Sequence, residues 1–444
     1  MNQPTMEQII SLCKRRGFIF PGSEIYGGLA GTYDYGPLGV ALKNNIKNLW
    51  WKQFVLDRTD MYGVDASILM NQNVWKASGH VGGFSDPLIE CSNCKSRFRA
   101  DQIDASKCPS CEKTETFGPA RQFNMMFKTT VGALEDADSI SYLRPETAQG
   151  MFVNFKNILD TFSPKLPFGM AQIGKAFRNE IAPRDFIFRV REFEQMEIEY
   201  FVDPRNEEVI NQTFESLYEE QLRFIESIGI SKEKLHKIEV PDGDRAHYSK
   251  RSVDTEFDFP FGQKELLGLA YRTDYDLNAH SKASGASLDY FDEETKERFT
   301  PHCIEPTFGV DRLVLAVLSD AYKTEGEGDD ARVYLDFPPA IAPIKACVSP
   351  LVKNKPELVE RAKSVFVNLK KSFGAIVWDD NGNVGKRYRR QDEIGTPFCV
   401  VVDFDTLGEH PELLDTVTVR DRNTGKQDRV AIKDLEAYIS ERVK

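Results

Sequence analysis

The apolar residues of this chain recur with two periods. Near the N-terminus, MEQIISLCKRR and then LGVALKNNIKNLWWKQFVLD space them three and four apart. In the second stretch Leu38, Leu42, Ile46, Leu49 and Trp50 form one face, as an amphipathic helix requires. That face fits an intramolecular core or a contact with a second copy, and spacing alone does not separate the two. From GMAQIGKAFRNE the period falls to two. Gly174, Ala176, Arg178 and Glu180 share a strand face, and after the loop IAPRDFIF so do Arg189, Arg191, Phe193, Gln195 and Glu197. About 205–250, a charged helix (NEEVINQTFESLYEEQLRFIESIG) and a polar turn (PDGD) stand apart by composition as an insert. CIEPTFGVDRLVLAVLSDAY predicts a strand running through Gly309 into a helix with Val310, Leu313, Val314, Val317 and Leu318 on one face.

The pattern changes after Tyr322. KTEGEGDDA is polar and glycine-rich, and Pro338, Pro339 and Pro343 follow, which places the main domain boundary between 335 and 336. Beyond it, strand IKACVSPL, helix ELVERAKSVFVNLKKSF, strand AIVWDD, helix KRYRRQDEIG and strand TPFCVVVDF predict a small α/β domain with a largely parallel sheet. No apolar run approaches the ~18 residues of a membrane span, and MNQPTMEQIISLCKRRGF has no apolar stretch of signal-peptide length. The expected compartment is the cytoplasm. The 57 basic residues against 69 acidic leave a net charge of −12, so any nucleic-acid contact depends on local basic patches. KRYRR, with Lys386, Arg387, Arg389 and Arg390 around Tyr388, is one such patch, suited to phosphate contact and base stacking; a solvated helix face shows the same pattern.

Of the eight cysteines, four fall in two CxxC pairs: Cys91 with Cys94, and Cys108 with Cys111. The spacing resembles a zinc ribbon, in which each pair delivers two thiolates to one side of a tetrahedral ion. Four thiolates leave no open coordination position, so the expected role is structural. Two disulfides suit a small secreted domain better. Cys13, Cys303, Cys347 and Cys399 lie scattered and read as buried hydrophobes.

The charges of the 177–201 hairpin admit two explanations. Arginines toward the loop, a ring in the middle and a carboxylate deeper in suit a nucleotide's phosphates, base and amine. Cross-strand ion pairs on a solvated hairpin give the same alternation. Likewise Arg312, in the first turn of its helix, marks either an anion site or a surface arginine on a buried helix.

FRNE followed by FRVREFEQME resembles motif 2 of the class II aminoacyl-tRNA synthetases, and FGVDRLVLAVL resembles their motif 3. YGPLGVALKNNIKNLWW is similar to motif 1 of the glycine-specific, homodimeric branch. RPETAQG (144–150), HYSKRSVDTEFDFPFG, ELLGLAYRTDYDL and GKRYRRQDEIGTPFCVVVDFDTL resemble further segments of that branch, so the resemblance covers nearly the whole chain. It implies an α+β fold: a six-to-seven-stranded antiparallel sheet flanked by helices (1–335), carrying the zinc-ribbon-like insert (86–125) and the helical insert (205–250), then an anticodon-binding domain (336–444). It implies two reactions, in which the glycine carboxylate attacks the α-phosphate of ATP and glycine then passes to the terminal ribose of tRNA. The implied partners are a second copy and tRNA(Gly), with Mg²⁺ and structural Zn²⁺.

Carried over residue by residue, the resemblance implies that Arg178, Arg312 and Glu305 are catalytic. ATP is met by Arg178, Asn179, Glu180, Phe188, Arg189, Val190, Arg191, Glu192, Phe193, Glu265, Leu266, Gly309, Val310, Asp311 and Arg312. Within that set Glu180 takes the adenine amine, Phe193 and Arg312 cover its two faces, and Arg189 lies near the β- and γ-phosphates. Glycine is met by Arg99, Glu146, Phe193, Glu194, Gln195, Met196, Glu197, Arg272, Glu305 and Thr307. Glu146, Glu197 and Glu305 hold the ammonium, and Arg272 with Arg99 the carboxylate. Glu265 and Glu305 are the implied Mg²⁺ ligands. The branch usually has serine where this chain has Thr307, and the added methyl narrows the pocket. A sister synthetase of different amino-acid specificity, a non-catalytic relative and a purely structural zinc protein are the competing readings. The acid-rich pocket argues against the first, the retained Arg178, Arg189 and Arg312 against the second, and the breadth of the matched segments against the third.

Overall fold

The computed structural model describes residues 3–133, 139–328 and 331–443; of the KTEGEGDDA run, Asp329 and Asp330 lie outside the described residues. Seven strands form the principal sheet: β1 (Met61–Gly63), β2 (Phe168–Phe177), β3 (Glu192–Val202), β4 (Leu235–Glu239), β5 (Arg251–Phe259), β6 (Gly262–Thr273) and β7 (His302–Gly309). They run in the order β4-β5-β6-β7-β3-β2-β1, antiparallel throughout except that β1 lies parallel to β2.

Alternation along these strands separates two chemistries. One face carries Met196, Ile198, Leu267, Leu269, Ile304 and Phe308 into the main core. There they meet α2 (Pro37–Trp51) through Leu42, Ile46 and Trp50, and α6 (Val310–Ala321) through its buried apolar positions. The periodic face of the motif 1 helix is thus core. The opposite face presents Phe193, Gln195 and Glu197 of β3. Gln195 is in register with Gly174 and Gly309, and Glu197 with Gln172 and Thr307. Gly174 has no room for a side chain, since a Cβ there would lie 2.2 Å from Arg144 Nη2. Three other helices frame this domain: α1 (Met6–Arg16), which opens with a Thr5–Gln8 capping box, α3 (Ala148–Phe162) and α5 (Tyr275–Ser284).

Segment 205–250 is built into the fold rather than appended to it. Its helix, α4 (Glu207–Ser227), buries Ile210, Phe214, Leu217, Phe224 and Ile225 in the main core, and β4 pairs with β5 as the outer strand of the sheet. Charge on the solvent face of α4 masks this in the composition. The cysteine-bearing segment is a separate three-stranded sheet, with Ser85–Glu90 central between Arg97–Arg99 and Arg121–Asn124.

The C-terminal sheet runs β9-β8-β10-β11-β12, from β8 (Ala346–Pro350), β9 (Ile376–Trp378), β10 (Phe398–Val402), β11 (Thr416–Asp421) and β12 (Gln427–Ala431). The first three are parallel, joined through α7 (Pro356–Phe373) and α8 (Val384–Glu393); β11 and β12 add an antiparallel hairpin, so the sheet is mixed. The main core extends through Leu335, Phe337, Ile341 and Ala342, and a second core begins at Ala346. Buried Arg422 ties the two together, donating to the carbonyls of Gly395 and Phe337, each at 2.7 Å.

Candidate active site

Two cavities of about 280 Å³ each open side by side on the polar face of the principal sheet, and Arg178, Gln195, Glu265, Gly268 and Thr307 line both. The first is also lined by Arg99, Arg189 and Arg312 with Glu180, Phe188, Val190, Phe193, Leu266 and Gly309. Arg178 leaves the end of β2; its Nε donates to the Pro145 carbonyl at 3.1 Å, and its guanidinium lies 5.2 Å from the Phe193 ring centroid. Arg312 lies 4.4 Å over the Phe188 ring and pairs with Glu265 Oε2 at 3.0 Å. Burial lowers the Arg189 pKa; Glu180 opposes this, while the like charges of Arg184, Arg99 and Arg312 add to it. An incoming anion relieves such crowding. Glu180 Oε2 is buried with no protein partner among the described residues, which leaves an acceptor ready for an amine.

The second cavity is acidic, lined by Glu146, Glu197 and Glu305. Glu197 accepts from the Thr147 N–H at 3.0 Å, the Thr147 hydroxyl and Gln195 Nε2 at 2.7 Å. Burial raises its pKa and the neighbouring Glu146 raises it further. Burial alone would raise Glu146 too, but His80, 3.2 Å from its Oε2, with Arg272 and Gln149, holds it well below the carboxylate range. Glu305 is pushed up to about 8 by burial, against the pull of Arg272 and with the push of Glu197 and Glu146. Burial and mutual repulsion thus hold Glu197 and Glu305 toward their neutral forms, and a small cation entering the cavity favours their charged forms.

The segment RPETAQG does more than supply Glu146. Arg144 braces β2, donating to the carbonyls of Lys175 at 2.6 Å and Ala66 at 2.7 Å. Pro145 holds Arg178 and Thr147 holds Glu197. Sequence reasoning took only Glu146 from this run. It also missed Asp254 on β5, which lines the acidic cavity and is pushed up to about 7 by burial and by Glu265 and Glu256. A third omission is Glu199, fully buried behind Glu305, whose pKa rises well above the ordinary range through burial and Glu305 and whose Oε2 accepts from the Cys303 thiol at 2.9 Å. Glu199 continues the β3 alternation, the one signal that could have found it.

Several expected residues lie elsewhere. Glu194 and Met196 project from the apolar side of β3: Glu194 pairs with Lys43 at 2.7 Å and Lys47 at 2.9 Å, and Met196 is core. Asp311 lines the cationic cavity, as Glu194 does, but its carboxylate accepts from Tyr35 Oη and from the Glu194 N–H at 2.8 Å; Val310 is core and does not line it. Arg191 precedes β3 and donates to the carbonyls of Ala30 and Glu180, Glu192 pairs with Lys175 at the surface, and the Asn179 N–H donates to Met125 O at 2.7 Å. Arg272 lines neither cavity. Its Nε and Nη2 bond Asp276 at 2.8 and 2.9 Å and its Nη1 bonds Glu305 at 2.8 Å, so three of its five N–H donors go to protein carboxylates and it braces Glu305. Arg99 lines the cationic cavity, not the acidic one, and pairs with Asp86 at 2.6 Å and Asp101 at 2.8 Å. In the C-terminal domain Arg387 is buried, donating to the carbonyls of Pro350, Gly382 and Asp380, and Arg390 pairs with Asp379 at 2.7 Å; Lys386 and Arg389 face outward.

Cys91, Cys94, Cys108 and Cys111 bring their sulfurs within 4.8 Å of one another, and none forms a disulfide. Four thiols converging on one point suit a tetrahedral ion. The scattered Cys13, Cys303, Cys347 and Cys399 are all buried.

Residues 127–321 match the tRNA synthetase class II core domain (G, H, P, S and T), and residues 345–442 match the anticodon binding domain. The chain thus belongs to the class II aminoacyl-tRNA synthetases. It is 50% identical to the glycine–tRNA ligase of Clostridium acetobutylicum over 473 aligned residues, covering 100% of both chains. It is 51% identical to that of Borreliella afzelii, covering 98% of this chain and 96% of the other, and 49% identical to that of Clostridium tetani, covering 99% of each. Within its class, the chain is a member of the glycine–tRNA ligase family.

Proposed function

We propose that this chain activates glycine with ATP and transfers it to tRNA(Gly). The observation that carries the reading is the junction of the two cavities, where Arg178 stands between a cationic, ring-lined space and an acidic one. Adenine fits between Phe193 and Arg312 with its amine on Glu180, the phosphates meet Arg178 and Arg189, and Arg99 belongs to the pyrophosphate end. The glycine ammonium is held by Glu146, Glu197 and Glu305. With Arg272 committed to Glu305, the glycine carboxylate falls to Arg178. A carboxylate oxygen attacks the α-phosphorus as pyrophosphate leaves, and Arg178 stabilises the charge that grows on the α-phosphate oxygens. The terminal ribose hydroxyl of tRNA then attacks the glycyl carbonyl and AMP departs. No protein nucleophile takes part.

Alanine is rejected sterically, since one methylene is worth only ~1–3 kcal/mol through binding. Thr307, in register with Gly268, narrows this end of the pocket. Mg²⁺, which neutralises phosphate charge, is assigned to Glu265 with Asp254 beside it, because that crowded carboxyl pair accommodates a cation. Glu305, the other expected ligand, has one oxygen on Arg272. Zn²⁺ on the four cysteines holds the insert together. Lys386 and Arg389 are the residues of their helix assigned to tRNA. A homodimer is supported by the 91%, 87% and 60% exposed Ile25, Tyr26 and Leu29 beside the motif 1 helix. Among the described residues no helix is long and apolar enough to cross a membrane, and the cytoplasm is the proposed compartment.

The test is exchange of labelled pyrophosphate into ATP with glycine, alanine, serine, threonine and proline in parallel. Exchange with glycine alone is expected. Exchange with another of these would overturn the pocket assignment, and none at all would overturn the activity.

A further inference from the structure

Glu146 and Glu305 come from different parts of the chain, yet an ammonium pocket needs both held at fixed separation. Three side chains form the path between them, and the first of these is uncharged. Gln149, in the first turn of α3 and fully buried, donates from Nε2 to Glu146 Oε1 at 3.0 Å and to Asp276 Oδ1 at 2.9 Å. Asp276 in turn holds Arg272 at 2.8 and 2.9 Å, and Arg272 holds Glu305 at 2.8 Å. The hydrogen-bonded path from Glu146 to Glu305 is unbroken. The orientation of the amide is settled by its neighbours. Both carboxylates accept only, so the NH₂ faces them and the carbonyl needs a donor. His280 supplies it, with Nε2 2.7 Å from Gln149 Oε1, and therefore carries its proton on that nitrogen.

The choice of a neutral amide follows from charge. A lysine or arginine between Glu146 and Asp276 would neutralise carboxylates that must stay available to an ammonium, and a third carboxylate would repel both. Two N–H donors on an uncharged group bridge the anions without cancelling them. We infer that Gln149 is a positioning residue for glycine, acting through Glu146 and, by way of Asp276 and Arg272, through Glu305. The inference rests on the reading of the acidic cavity as the glycine pocket.

Gln149→Met keeps length and removes both donors. In pyrophosphate exchange with the full-length protein, the glycine KM is expected to rise on the order of tenfold, the loss of a hydrogen bond to charged groups, with the ATP KM within about twofold of the parent's. A glycine KM within twofold of the parent's would overturn the proposal, as would an equal rise in both KM values, which marks general damage. Where this variant fails to fold, His280→Leu leaves Gln149 in place but removes the donor that fixes its amide; a glycine-only rise of about threefold supports the proposal and no change overturns it. Absence of glycine-dependent exchange in the parent protein would instead sink the functional reading, and with it the pocket that Gln149 serves.

Discussion

Glycine affinity is expected to strengthen as pH rises from 6 to 8. Glu305 is buried among Glu146 and Glu197, and these surroundings push it up to about 8 in the free pocket despite Arg272. It is neutral below that pH and charged above it. An ammonium favours the charged form, so binding below pH 8 must first expel a proton. At pH 7 a carboxyl at about 8 is roughly nine-tenths protonated, and ionising it costs about 1.4 kcal/mol, a tenfold weaker hold on glycine. The glycine KM, measured by pyrophosphate exchange from pH 6 to 8.5, is expected to fall about tenfold per unit and level off near 8. Calorimetry in buffers of different ionisation enthalpy gives the companion reading, with about 0.9 proton released per glycine at pH 7. Glu305→Gln removes both the slope and the proton. A KM flat across this range in the parent, or a slope that survives Glu305→Gln, would refute the reasoning.

Arg178→Ala is expected to cost on the order of 3 kcal/mol or more in the activation step, a hundredfold or greater loss of exchange, while the melting temperature stays within a few degrees of the parent's. Chelating the metal from the cysteine cluster is expected to raise the ATP KM more than the glycine KM, because the insert carries Arg99 and also Gln102, which accepts from Arg184 and Arg189 at 3.2 and 3.3 Å; equal effects on both would point to general unfolding. Arg387→Ala is expected to lower thermal stability by about 3 kcal/mol through the buried carbonyls it leaves unpaired. Lys386→Ala is expected to weaken tRNA binding several-fold at low salt with stability unchanged, and interchange of these two outcomes would reverse the assignment of the helix faces.

Periodicity made the β2–β3 hairpin, β7 and the helices α1, α2 and α6 legible, because burial on one face imposes a repeat of two on strands and three to four on helices; the rest of the sheet came from the family resemblance. The alternation of Phe193, Gln195 and Glu197 therefore led to the site, but it could not say where the strand starts. Arg191 precedes β3, and its side chain answers to two carbonyls instead of to the sheet. A motif quoted as one run also joined residues on opposite faces, which is how Glu194 and Met196 entered the glycine set. Arginines were the least legible class. Whether a guanidinium is offered to a ligand or spent on the protein depends on partners far along the chain, as with Arg272 on Glu305 and Arg387 on Pro350. In segment 205–250 the charge of the exposed face outweighs, in composition, Ile210, Phe214, Leu217, Phe224 and Ile225, by which its helix joins the main core.

The segment around 85–124 brings Arg99 to one end of the cationic cavity, and Gln102 to Arg184 and Arg189, while its three-stranded sheet shares no strand with the sheet beneath. The acidic cavity thus stands on the seven-stranded sheet, whereas Arg99 reaches the cationic cavity from an outlying module on which four sulfurs converge. The two can vary independently. On the proposed assignment, lengthening, shortening or loosening that module would retune how readily pyrophosphate escapes while Glu146, Glu197 and Glu305 keep their places.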